Sequence, residues 1–152
     1  MYWYLTVRSD SRYGKSVSTC VLVTYLDSVP GLRRTDSSSY RAADDLDWLT
    51  VTIAACNSTG NYVAHTDRVP ERVTTVELIC SADGSPAYDT ALALAAEIAA
   101  LLGWEVADSE SDEVLYTGPA TPVPARCAVE CPACATPEGH QSSLTRSGRT
   151  RR

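Results

Sequence analysis

Ser85-Pro-Ala-Tyr-Asp-Thr-Ala-Leu-Ala-Leu-Ala-Ala-Glu-Ile-Ala-Ala-Leu-Leu-Gly103 carries the signals of a helix that packs on a sheet. Ser85 is placed to accept a bond from the first free N–H groups, and Pro86 at the first helical position needs no N–H partner. Asp89 sits in the first turn, where the helix dipole favours negative charge. Gly103 follows the last turn, where a left-handed residue ends a helix without a Cβ penalty. Between these signals, Ala91, Leu94, Ala95, Ile98, Leu101 and Leu102 form one apolar stripe.

The flanks of this helix read as strands. Upstream, Val73 to Cys80 places Val76, Leu78 and Cys80 on one face and Val73, Glu77 and Ile79 on the other. Downstream, Trp104 to Ala107 is a short strand, and Glu113 to Tyr116 adds another after the acidic turn Asp108 to Asp112. Further toward the N-terminus, Trp48 to Cys56 alternates Leu49, Val51, Ile53 and Ala55 against Trp48, Thr50, Thr52 and Ala54. Tyr2 to Val7 is a first strand on the same period. Val17, Cys20, Val21, Thr24 and Val29, with Leu22 and Leu26 alongside, give a second helix capped by Ser16 and stopped by Pro30-Gly31. Thr35 to Asp47 is a polar connection, and Asn57 to Glu71 a turn and loop. The order β-α-β-β-α-β plus one strand predicts an α+β fold: a ferredoxin-like (split βαβ) antiparallel sheet with two helices on one face.

Past Tyr116 the apolar periodicity stops. Residues 1–118 read as one acidic α+β domain, with 8 Lys and Arg against 17 Asp and Glu, a charge of −9. Residues 119–152 read as a disordered tail, Pro-rich at its start and Ser- and Arg-containing at its end, with 5 Arg against 2 Glu and three cysteines. An acidic body opposes nonspecific nucleic-acid binding, which needs clustered Lys and Arg. The N-terminus lacks the pattern of a signal peptide. Ala91 to Leu102, interrupted by Glu97, is too short to span a bilayer, so no membrane partner is expected. These features predict a cytoplasmic protein, in which cysteines are thiols or metal ligands.

Three groups of residues have the chemistry of a site. Cys127, Cys131, Cys134 and His140 supply three thiolates and an imidazole, the donor set of a tetrahedral zinc ion. The three-cysteine spacing also resembles the motif by which radical S-adenosylmethionine enzymes hold a four-iron cluster. That likeness covers eight residues, and the 18 that follow Cys134 are too few for the barrel which the motif opens in that family. Cys80, before a helix N-terminus, is a candidate nucleophile with His65 as its base. Asp44, Asp45 and Asp47, with Asp108, Glu110, Asp112 and Glu113, form two acidic loops suited to a basic protein partner.

Without a catalytic motif, the reading favoured by the sequence is a small intracellular binding protein without catalysis or cofactor. An immunity, antitoxin or inhibitor-type role toward a basic protein suits it. A ligand- or metal-sensing regulatory domain, with the C-terminal cysteines as a zinc site, is the alternative. A cysteine-dependent enzyme using Cys80 is the second alternative.

Overall fold

A computed structural model describes residues 2–42, 49–63, 70–81 and 87–120. The strands among them are β1 (Tyr2–Arg8), β2 (Val17–Ser18), β3 (Leu32–Arg34), β4 (Ser39–Ala42), β5 (Leu49–Ala54), β6 (Arg72–Val73), β7 (Thr75–Ser81), β8 (Glu105–Asp108) and β9 (Val114–Thr117). The helices are α1 (Thr19–Ser28) and α2 (Ala87–Leu102). Seven strands form one sheet in the order β3-β4-β5-β7-β1-β8-β9, every neighbouring pair antiparallel. The fold is α+β, as the patterning predicts. The seven-stranded sheet and its strand order differ from the expected ferredoxin-like plait, whose topology is not confirmed. A separate pair, β2 and β6, joins Val17 to Val73 and Ser18 to Arg72.

One face of the sheet carries the core. Leu5 pairs with Leu78, which pairs with Val51, and Val7 pairs with Val76, which pairs with Ile53. All six side chains are buried. Alternation of side chains across the pleat sends this set to one side. From α2, Ala91, Leu94, Ala95, Ile98, Ala99 and Leu102 cover it, and from α1, Cys20, Leu22, Val23 and Leu26 complete the same cluster. The Tyr25 hydroxyl of α1 donates to Glu97 of α2 at 2.7 Å, so the helices lie side by side.

α1 begins later than its sequence pattern suggests. Ser16 is not its cap: Val17 and Ser18 are drawn into β2, and Ser18 holds the N-cap position without a side-chain bond. Thr19 N–H donates to the carbonyl of Glu71 at 3.0 Å, and its hydroxyl donates to the carbonyl of Pro70. The segment before β7 thus supplies the helix end with acceptors. Thr19, Leu22, Val23 and Leu26 become the inward stripe.

The polar connection after Pro30 hides a hairpin. Leu32 to Arg34 pairs with Tyr40 to Ala42, and β4 in turn pairs with β5. Its anchor is Tyr40, whose ring is fully buried and whose hydroxyl donates to Asp27 of α1 at 3.1 Å. Arg34 clasps the same carboxylate through Nε at 3.2 Å and Nη2 at 2.6 Å, and its guanidinium lies 5.5 Å from the Tyr40 ring centre. Burial, the leading cause, pushes the Tyr40 phenol up to about 12.

α2 closes as its sequence suggests. Gly103 is left-handed at φ 67°, and the Trp104 N–H donates back to the Ala99 carbonyl at 2.9 Å, with Trp104 itself buried. The chain returns along β9 to this point, where the Gly118 N–H donates to the Trp104 carbonyl at 2.7 Å. A Cβ on Gly118 would lie 2.4 Å from the Ala99 carbonyl oxygen and 2.8 Å from that of Trp104. Both obstacles are backbone atoms.

Gly118→Ala should therefore destabilise the fold by about 1–3 kcal/mol in urea unfolding, the usual cost of overpacking. A neutral result would show that β9 can move off α2. Ile98→Ala, at a wholly buried α2 position, should cost about 2–5 kcal/mol.

Candidate functional site

Between β8 and β9 the chain makes a tight acidic turn built on Asp108. Its Oδ1 accepts from the N–H of Glu110 at 2.9 Å, the N–H of Ser111 at 2.8 Å and the hydroxyl of Ser111 at 3.0 Å. Its backbone closes the loop: Asp108 N–H donates to Glu113 O, and Asp112 N–H to Asp108 O, both at 2.9 Å. Asp112 takes a left-handed φ of 60°, which Asp tolerates better than most residues. The Ser109 N–H donates to the Tyr4 carbonyl at 2.9 Å, and the Ser109 hydroxyl bonds that of Thr6 at 2.7 Å. The turn is thereby fastened to β1.

Glu110, Asp112 and Glu113 are exposed on this turn, whereas Asp108 is buried. The acidic run predicted from sequence therefore divides. Asp108 organises the loop, Asp112 pairs with Arg8 at 2.6 Å while two-thirds exposed, and Glu110 and Glu113 face solvent. Bonds from the Ser111 and Glu110 backbone and the Ser111 hydroxyl, the first of these the largest cause, hold the Asp108 carboxyl below the usual range.

A cleft of about 470 Å³ opens beside the turn, lined by Trp3, Tyr88, Asp108, Glu110, Ser111, Glu113 and Leu115. Trp3 comes from β1 and Tyr88 from the first turn of α2, and their rings lie 5.4 Å apart at 56°. Leu115 comes from β9, where a bulge opposite Val106 and Ala107 breaks the register. The sequence reading includes the acidic part of this cleft and places Trp3 within the first strand. Trp3, packed against Tyr88 of α2, is 36% exposed.

The remaining predicted residues are dispersed. Cys80 lies between Trp3 and Leu49 in the sheet register and is fully buried, so burial raises its thiol pKa. Cys56, on the short bridge to Tyr62, is pushed up to about 11, chiefly by burial and then by Glu77. Cys20 is disulfide-bonded, which corrects the expectation that the cysteines are thiols or metal ligands. Asp44, Asp45, Asp47, His65, Cys127, Cys131, Cys134 and His140 lie outside the described residues. Among the described residues, no group of three or more His, Cys, Asp or Glu side chains is arranged to hold a metal ion. No described helix is long and apolar enough to cross a membrane.

No protein-family model matches the chain, no curated protein matches its sequence, and no solved structure matches its fold.

The depressed Asp108 pKa fixes a pH dependence. Its contribution to stability is complete above the ordinary carboxylate range and is lost as pH falls through that range toward the folded pKa. Asp108→Asn should thus lower stability at pH 7, and the gap to the parent should narrow on acidification toward pH 3. A gap of constant size would show that the ionised form has no advantage in the turn.

Proposed function

We propose that the chain is a binding protein without catalysis, whose acidic corner meets a basic protein partner in the manner of an immunity, antitoxin or inhibitor protein. The observation that carries this reading is the turn at Asp108. It holds Glu110 and Glu113 in solvent, on a loop fixed by its own bonds and by β1, while the exposed Asp112 already pairs with Arg8. Carboxylates presented on an ordered loop lose little further freedom on binding, and their field speeds the approach of a cationic surface. Burial opposes a thiol nucleophile at Cys80, since the reactive species is the thiolate. We also read the inner strands β5-β7-β1-β8 as a ferredoxin-like plait widened at both edges. Their order and antiparallel pairing support this.

A decapeptide of alternating Arg and Ser is a suitable probe. Its association with the full chain should slow between 50 and 300 mM salt, because the Debye length shrinks over this range. Neutralising both Glu110→Gln and Glu113→Gln should weaken binding roughly three- to tenfold, since exposed charges contribute up to about 1 kcal/mol each. Glu71→Gln, at another exposed carboxylate, serves as the control and should change it little. Binding indifferent to salt and to the Glu110 and Glu113 substitutions would reject the proposal.

The thiols give a separate check. At pH 7, iodoacetamide should leave Cys56 and Cys80 unmodified in the native chain and label both in urea, and Cys80→Ser should bind the decapeptide as the parent does. Rapid native labelling of Cys80 would restore the enzyme reading.

A further inference from the structure

We propose that the cleft between Trp3, Tyr88 and Leu115 receives the guanidinium group of an arginine side chain on the basic partner. This rests on the reading above and adds to it the group that is recognised and the place where it binds.

Two kinds of surface converge in the cleft. The Trp3 and Tyr88 rings, 5.4 Å apart and tilted by 56°, offer π faces that attract a cation most strongly where water is thinned out. Glu110 and Glu113 stand at the rim, and Asp108 lies deeper, with only 8% of its surface exposed. Asp108 is not fully used by its turn. Its three side-chain bonds all fall on Oδ1. Oδ2 makes none among the described residues, where no sealed side-chain oxygen or nitrogen lacks a partner. Oδ2 therefore keeps some exposure, on a residue that lines the cleft.

Such a site distinguishes among cations. Guanidinium is planar and weakly hydrated, with donors around its edge and flat faces above and below. Its edge can meet Asp108 Oδ2 and a rim glutamate while a face lies against an aromatic ring. An ammonium has donors but no flat face. Leu115, 36% exposed at the mouth, gives the methylene stem of an arginine an apolar wall. A volume of about 470 Å³ accommodates one such side chain.

The test uses the full chain and the peptide Ac-Gly-Ser-Arg-Ser-Gly-amide, followed by the NMR signal of the Trp3 indole N–H. Matched peptides carry lysine or the neutral isostere citrulline, and argininamide stands for a free small cation. The arginine peptide should shift the Trp3 signal, with lysine at least fivefold weaker and citrulline silent at the same concentration. By titration calorimetry, which needs no indole signal, Trp3→Leu should weaken the arginine peptide about fivefold or more, and Glu110→Gln should weaken it as well. Retained spectral dispersion of the Glu110→Gln variant keeps the test valid if the Trp3 variant unfolds.

Equal binding of the lysine peptide, or a Trp3 signal unmoved by the arginine peptide, overturns the inference. Argininamide binding as tightly as the peptide would assign the cleft to a small free cation and overturn it too. If the arginine–serine decapeptide still binds through Glu110 and Glu113 in those cases, the acidic-surface reading survives alone. If neither peptide binds, both readings fall.

Discussion

A guanidinium buried at the end of the inner strand β1 is the constraint on which the sheet depends. Arg8 lies opposite Glu105 in the β1–β8 register, and its Nε donates to Glu105 Oε1 at 3.0 Å. Its Nη1 reaches Asp112 Oδ1 at 2.6 Å, and its charge lies 5.8 Å from the Tyr13 ring centre. Burial alone disfavours the charge, but the bonds to Asp112 and Glu105 more than offset this, so the pKa of Arg8 is raised. Asp112 is two-thirds exposed and its share is screened, which leaves Glu105 as the main partner. A one-residue slip of β1 would strand this charge and turn Leu5 and Val7 out of the core. Removing one partner of such a buried pair costs about 3–5 kcal/mol, which favours the observed register over its neighbours.

Much of this architecture is legible in the sequence because its signals are local and agree with one another. The α2 stripe, the Gly103 stop and the alternation in β5 and β7 each state a face, and the faces match. The β3–β4 hairpin is not legible. Apart from Leu32, Tyr40 and Ala42 its strand residues are Arg and Ser, and the burial of Tyr40 depends on Asp27 and Arg34, partners that composition does not pair. The start of α1 is displaced for a similar reason. Val17 and Ser18 have helical spacing, but β6 offers them a partner strand and the carbonyls near Glu71 satisfy the helix end.

The site is half-legible on the same grounds. A run of Asp and Glu between two short strands announces an acidic turn, and sequence places it correctly. It does not reveal that Asp108 turns inward to organise the loop, because an Asx turn and a solvated carboxylate use the same residue. Nor does it reveal that Trp3 and Tyr88 meet, since they stand 85 positions apart in the chain. The thiol at Cys80 shows the opposite case. Its position before a helix looks favourable in sequence, yet the register seats it between Trp3 and Leu49, out of water.

The bulge between β8 and β9 bears on how far the sheet can grow. Among the described residues the seven-stranded antiparallel sheet ends in two margins, whose backbone groups can template another strand. At one margin β3 has only three residues, with Arg33 directly across from Arg41, a like-charge pair that an added strand would have to accommodate. At the other, β9 is short and kinked by the extra residue, with Glu113 at its entry. Neither margin offers a long, flat, uncharged run. Among the described residues both edges thus oppose stacking edge to edge into polymers, although Val114 and Leu115 lie open to solvent beside β9's edge.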